Sequence, residues 1–582
     1  DSGWVAELRI PFSQLRFSGE PVQRWGLQVE RQIARNQEFS VWAFTPRDQP
    51  GGAPRYGHLT GLESIATGKR LEVMPYVVSR AEFVERGANP FRTNEEYRVE
   101  AGVDLKYRVT SSLTLDATVN PDFGQVEVDP AVINLTAFET QYQEKRPFFI
   151  EGSELFRFAE DGTNRLFYSR RIGRQPALAP PYAERDVPAE TNILGAAKLT
   201  GRTGGGWAMG MLDAVTRREM ARFRESDGTE GESVAEPLTN YFVGRARREL
   251  RAGQTAFGGL VGAVNRDLDS DELRAALRSA AYSGGVDLSH QWGARTWSLT
   301  GYLAGSHVQG EAPVIAGTQR QSHHYFQRPD ADHLEYDPTR TSLTGVAGNV
   351  RLAKRVGRLW NFNGFVNAIS PEYEVNDLGF QRRSDRIDAQ AGFNYTDSRP
   401  GTVRRSNGVG LTALMEHNFN GDNVSNRIFS GYNAQLMNYW GVFANVNVSL
   451  PNTYDDRLTR GGPAARRPGN TSVSGGFYSD SRKAVTGEWY TSYRTGGNGN
   501  ELVLQPTIEF KPTPKWQLRL TPTYVDLYDP AQYLFQFADP TATHTYNARY
   551  VFAALDYTQL ALETRLNYTI RPGLSVQVYA QP

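Results

Sequence analysis

The chain of 582 residues contains no cysteine, which excludes disulfides, thiolate metal centres and a cysteine nucleophile. An oxidising periplasm is compatible with that absence but is not required by it. Long hydrophobic runs are missing too. Only 39% of residues are apolar and the mean hydropathy is −0.52, so no membrane-crossing helix of about 20 apolar residues is encoded. Excess charge of one sign is also absent, because 64 Lys and Arg balance 64 Asp and Glu. A general nucleic-acid binder would show a basic surplus, so nucleic acid is not an expected partner.

What is present is alternation. Tyr97, Val99, Ala101, Val103, Leu105, Tyr107 and Val109 interleave with Arg98, Glu100, Gly102, Asp104, Lys106 and Arg108. After Thr110-Ser111-Ser112, Leu113, Leu115, Ala117 and Val119 interleave with Thr114, Asp116 and Thr118. A period of two means a strand with one apolar and one charged face. The pattern recurs in segments of roughly the 9–11 residues that a tilted strand needs to cross a bilayer. It predicts an all-β fold, a large antiparallel transmembrane β-barrel of about 20–24 strands. Tyr97, Val99, Val103, Leu105, Leu113 and Leu115 should face lipid. A lipid-facing wall shows apolar side chains at every second residue only, which explains the low hydropathy. The 56 Gly, 28 Tyr and 29 Phe suit many turns and aromatic girdles. Turns alternate between short (Thr110-Ser111-Ser112, Pro512-Thr513-Pro514) and long (217–239, 307–340, 452–470), the asymmetry of periplasmic turns and outer loops. GRTGGGWAMG (201–210) has strands on both sides and no following helix, so it reads as a hairpin and not a phosphate loop.

Two regions break the rhythm. Residues 1–64 read as short strands over Trp4–Ile10, Trp25–Ile33 and Glu38–Phe44, with Pro11–Phe17 as a turn, and suggest the C-terminal remnant of a β-sandwich. Trp4, Trp25 and Trp42 could stack on sugars, but in a sandwich they are expected in the core. The barrel proper is expected over 65–582. Within it, 120–171 is charge-dense, and Asp129-Pro130 resembles an N-cap followed by Pro at the first helical position of VINLTAFETQY. That stretch is the expected lumen insert or plug, since a barrel this wide is commonly filled. The chain starts at Asp1 without a signal peptide, and its alternation runs to Ala580. The expectation is a fragment whose last strand sits at an open seam.

The stretch NPDFGQVEVDPAVINLTAFETQYQEKRPFFIEG (120–152) strongly resembles a signature of the bacterial domain-of-unknown-function family 5916. YLAGSHVQG (302–310), QRPDADHLEYDPTRTSL (327–343), YEVNDLGFQRR (373–383) and RLTRGGP (457–463) resemble further landmarks of it. GWVAELRIPFSQLRF (3–17) is similar to the closing part of family 9 carbohydrate-binding modules. The resemblance implies a bacterial outer-membrane barrel preceded by a sugar-binding-type module, and implies no established activity.

Candidate functional residues follow from two constellations. Asp122, Glu127, Asp129, Glu139, Glu144 and Glu151, with Lys145 and Arg146, are the candidate substrate or lumen residues. As a glycosidase pair, two of the acids would need a defined separation and one raised pKa. The alternative is a salt-bridged insert in a wet lumen. The second constellation, His307, His323, His324 and His333 beside Asp330, Asp332, Glu335 and Asp337, mixes ligand types suited to a divalent metal but has no fixed ligand spacing. A metal or other cofactor is therefore not expected, and His323, His324 and His333 are the residues to watch. The expected function is binding, passage or surface handling of a carbohydrate or related solute in the outer membrane, with membrane lipid as partner. The alternatives are a membrane-embedded glycoside hydrolase and an envelope assembly barrel.

Overall fold

The structure is a computed structural model that describes residues 5–12, 15, 17, 20–33, 38–46, 52–65, 71–83, 85, 89–121, 134, 136–158, 164–203, 205–355, 359–497, 499–571 and 573–582. Among the described residues, twenty-one strands between Leu71 and Ala580 follow one another around a closed ring. The hairpins run antiparallel, for example Ile193–Arg202 with Trp207–Thr216, Ala280–Trp292 with Trp297–Gln309, and Arg404–His417 with Asn423–Leu436. Leu574–Ala580 stands next to Leu71–Phe83 in the order of the ring, which corrects the expected open seam. The described residue-by-residue ladder of Leu574–Ala580 is with Thr564–Arg571.

The faces follow the alternation. Between Glu95–Arg108 and Leu113–Val119, Asp104 stands opposite Thr118, Lys106 opposite Asp116, and Arg108 opposite Thr114. Cross-strand partners share a face, and Thr114, Asp116 and Thr118 are buried. Arg98 is in phase with Asp104 and Lys106, so this charged set points inward. Leu105 and Tyr107 oppose Ala117 and Leu115 on the other face, and Tyr97 and Val99 are 67% and 72% exposed. Around the ring Val261, Val286, Leu303, Val346, Val350 and Val366 are likewise exposed, and Val286 lies directly opposite Leu303. Water would penalise such a belt, whereas lipid would not, so the wall is built to span a bilayer.

The connections are unequal at the two ends. Turns such as 109–112, 203–206, 251–254 and 293–296 close one end, whereas 120–192, 217–238, 310–341, 370–385 and 450–469 all leave from the other. The antiparallel pair Trp516–Ala538 and Ala548–Arg571, with 23 and 24 residues, is about twice the crossing length and extends past the long-loop end.

Within 1–64 the described strands are Val22–Leu27 paired with Gly57–Glu63, and Glu30–Ile33 paired with Glu38–Val41. Residues 5–10 form no strand, and the expected Trp25–Ile33 strand is split. The split has a local cause: the Gln28 side-chain amide donates to the Ala43 carbonyl and accepts from the Ala43 N–H, both at 2.8 Å. Trp25 is half-buried and packs on Phe12 and Phe17, and Trp4 lies outside the described residues. Trp42 is 58% exposed, contrary to the core expectation.

The helix expected from Pro130 is not found over 136–146, and residues 122–133 and 135 lie outside the described ones. A single helical turn, Pro147–Ile150, follows instead, with Pro147 supplying its first position, and a 3-10 turn follows at Ser153–Phe156. This segment threads inward along the wall. Its ends join the long-loop side, yet Gly152 sits against Thr200, near the short turn 203–206. Gly210 and Gly285 leave room for Phe156 and Phe158: a Cβ at either would lie 3.0 or 2.7 Å from the ring. Phe158 also packs edge-on against Tyr302. Lys198, fully buried on the wall, donates to the carbonyls of Phe148 and Glu151.

Candidate functional site

Glu139, Glu144 and Glu151 each face a cation. The Glu144 carboxylate accepts from Arg146 Nε at 2.9 Å and Nη2 at 2.7 Å, and from Ser169 Oγ at 2.5 Å. Burial pushes its pKa up, but Arg146 and Ser169 outweigh burial and hold it below the usual 4.5. Arg146 in turn donates to the carbonyls of Ile172 and Ser169. Glu139 accepts a two-pronged bond from Arg171, 2.8 Å on each side. Glu151 meets Lys106 of the wall at 2.5 Å. A general acid for glycoside cleavage needs a raised pKa, and Glu144 is shifted the other way. Asp122, Glu127 and Asp129 lie outside the described residues.

Arg171 links this insert to a second centre. It also donates to Asn376 Oδ1 and the Gly379 carbonyl, and Asn164–Arg165 pairs with Phe380–Gln381 as a two-stranded sheet. The 370–385 loop is thereby held between insert and wall. Its backbone lies so close to the wall at Gly345 that a Cβ there would be 2.2 Å from the Tyr373 nitrogen.

On that loop, fully buried Glu374 receives His323 and His324 from the 310–341 loop. His323 Nε2 contacts Glu374 Oε2, and His324 Nε2 lies 3.1 Å from the same oxygen. The three ligand atoms lie within 4.8 Å of one another. Burial, and then the neighbouring His323, lower the His324 pKa to about 4. Burial would raise the Glu374 pKa, but the neighbouring His323 and Arg278 hold it well below the usual carboxylate value. Arg278 bridges Glu374 and Asp377, and Asp377 also pairs with Arg266 at 2.8 Å. His333 is elsewhere, 2.8 Å from Asp385, and His307 bonds Thr344 on the wall. Asp330 pairs with Arg328, and Asp337 caps Thr339.

Next to this trio three guanidiniums surround one carboxylate. Asp456 takes Arg457 at 2.9 Å, Arg383 at 2.8 Å and Arg328 at 3.6 Å, and Arg383 also reaches Glu416 at 2.9 Å. Arg328 Nη1, Arg383 Nε, Asp456 Oδ1 and Arg457 Nε are buried with no hydrogen-bond partner among the described residues. Buried polar atoms of this kind are normally satisfied by water or a bound polar molecule. Tyrosine rings flank them: Arg457 stacks over Tyr325, and Arg460 over Tyr533 of the long hairpin. Gly461 leaves space for Gln327 and Tyr325, and Gly462 for Tyr550.

A cavity of about 220 Å³ opens beside the cluster, bounded by Arg383, Glu416, Arg427, Thr453 and Arg467. A second, about 400 Å³, continues along the inner wall past Arg427 to Gln390, Thr412, Asn445, Asn447 and Ser474. Arg427 borders both. The described contacts of the insert fall on strands between 95 and 309 and on the 370–385 loop, whereas this polar lining comes from strands between 386 and 478.

Sequence reasoning found His323 and His324 but missed Glu374, Arg383 and Asp456, which arrive from loops about fifty and more residues away. Their only sequence signal was that YEVNDLGFQRR, which holds Glu374 and Arg383, and RLTRGGP, which Asp456 immediately precedes, are unusually irregular for wall segments.

No curated protein matches the chain. Among solved structures, the chain is similar to a ferric enterobactin receptor of Pseudomonas aeruginosa bound to enterobactin, at 8% identity and TM-score 0.40, covering 88% of this chain and 75% of that one. It is similar to the siderophore receptor PirA of Acinetobacter baumannii at 6% identity and TM-score 0.38, covering 90% and 78%. An anion-selective porin from Comamonas acidovorans gives 8% identity and TM-score 0.26, covering 65% of this chain and 100% of that one. These likenesses are remote, and the barrel described above stands on its own strand ladders. The sequence comparison is direct: a family model described as "Domain of unknown function (DUF5916)" matches residues 67–581, and the chain belongs to that family.

Proposed function

We propose that this protein is an outer-membrane β-barrel that binds and passes a polar solute, with the 134–171 insert as its gate. The observation that carries the reading is the divided lumen. One side is filled by the insert, and the other is a polar corridor running from the Arg328, Arg383, Asp456 and Arg457 cluster past Arg427. The short turns face the periplasm and the long loops face outward, as the asymmetry of such barrels requires. A carbohydrate or related polyhydroxylated solute fits the upper cluster best. Guanidinium and carboxylate atoms without a hydrogen-bond partner among the described residues, near Tyr325, Tyr533 and Tyr550, combine planar hydrogen-bonding groups with ring faces.

This reading is favoured over a glycoside hydrolase because Glu139, Glu144 and Glu151 are all engaged by cations and Glu144 is held ionised. The test is conductance in planar bilayers. The protein should conduct ions, and a linear maltooligosaccharide should block the current in a concentration-dependent way. Conductance without block would remove the carbohydrate assignment. A folded, inserted protein that conducts nothing, even with Lys198 replaced, would remove the conduit.

A further inference from the structure

We propose that His323 Nε2, His324 Nε2 and Glu374 Oε2 form a binding site for a divalent transition-metal ion that fastens the 310–341 loop to the 370–385 loop. The trio is gathered from two loops with its ligand atoms within 4.8 Å of one another. A tetrahedral ion with bonds of about 2.1 Å places ligand atoms about 3.4 Å apart. The 3.1 Å between His324 Nε2 and Glu374 Oε2 is close to that spacing. His323 has to withdraw slightly, and its ring is the partly exposed one of the three.

A second observation comes from the hydrogen bonds of His324. Its Nδ1 lies 2.8 Å from the Pro371 carbonyl oxygen, which can only accept, so the ring proton belongs on Nδ1. The nearby Ser384 hydroxyl has the His323 carbonyl to donate to, at 2.9 Å. Nε2 then directs its lone pair at a carboxylate oxygen, a contact between two acceptors in a fully buried site. A cation between them turns that repulsion into two bonds. An Nδ1–H held by a backbone carbonyl is also how metal-ligating imidazoles are usually oriented. The remaining Glu374 oxygen is positioned by the Asn376 N–H at 2.7 Å.

Two imidazoles and one carboxylate select zinc, iron, cobalt or nickel over calcium and magnesium. The partly exposed His323 side leaves a coordination position for water or a solute. Arg278 Nη1 stands 3.5 Å from Glu374 Oε2 and opposes the ion's charge, so its removal should tighten binding, with Arg266 still pairing Asp377.

The experiment is titration of the detergent-solubilised full chain with Zn²⁺ and Co²⁺, followed by calorimetry and by the visible Co²⁺ spectrum, with folding checked by heat-modifiable gel migration. One equivalent should bind per chain. His323→Gln should weaken binding at least tenfold, His333→Gln should leave it unchanged, and Arg278→Gln should tighten it severalfold. Should His323→Gln fail to fold, anomalous scattering from wild-type crystals soaked in Zn²⁺ decides, with a peak expected between the three side chains. Absence of that peak, several weak equivalents in place of one, or equal affinity in folded His323→Gln would each overturn the proposal.

Discussion

Replacing Lys198 by Met should loosen the insert without unfolding the wall. The Lys198 ammonium is buried on the strand Ile193–Arg202, donates to the carbonyls of Phe148 and Glu151, and lies 4.8 Å from the centre of the Phe148 ring. Methionine keeps most of the stem's volume, so the packing loss is small. Two hydrogen bonds to a charged donor disappear, each worth about 1.5–3 kcal/mol. Once the segment opens, its carbonyls are free to find water, so a net loss of about 2–4 kcal/mol is expected for the closed arrangement. At 1.4 kcal/mol per decade this raises the open population by about 30-fold to 700-fold. Hydrogen exchange followed by mass spectrometry on peptides covering 147–157 should show that gain in exchange. Peptides from 255–309 should be unaffected. In bilayers the variant should visit a larger conductance more often. Unchanged exchange at 147–157 in a folded variant would mean that Lys198 does not hold the insert.

Leu303→Arg, on the exposed belt, should cost about 2–4 kcal/mol in refolding into vesicles, and an unaltered refolding midpoint would show that this face does not meet hydrocarbon. Gly345→Ala puts a methyl where the Tyr373 backbone now lies and should unseat the 370–385 loop, read as new protease cleavage within 372–382. Glu144 contributes stability above pH 4.5 that is lost as pH falls through its lowered folded value. Acid should therefore weaken the insert in the wild type, and Glu144→Gln should flatten that part of the pH dependence; parallel curves would exclude the role. Arg427→Glu should move the reversal potential in a salt gradient toward cation selectivity, and no movement would place the current elsewhere.

The alternation of 97–119 was enough to assign the wall's faces, because a one-residue slip would turn Arg98, Asp104 and Lys106 into lipid. The length of the Trp516–Ala538 and Ala548–Arg571 hairpin was hidden, since its continuation past the membrane keeps the same period. The loops were least legible. Nothing near His323 announces Glu374, and their meeting depends on Gly345 admitting the Tyr373 backbone and on Arg171 holding the carbonyl of Gly379. The Asp129-Pro130 signal is local, whereas 136–146 is shaped by the Glu139 and Glu144 ion pairs, and those outweigh weak helical preference.

The corridor has one fixed bank and one movable bank. Asn445, Asn447, Ser472 and Ser474 stand on hydrogen-bonded strands and cannot shift without breaking ladders. The insert on the other side of the lumen is a strap tied by a handful of ion pairs and carbonyl bonds. A solute's size and polarity would be measured against the rigid bank, while the timing of its transit would be set by the strap. On the proposed reading selectivity and gating would reside in different residues, so substitutions along 412–474 would redirect the barrel to another solute while the release of the strap stays as it is.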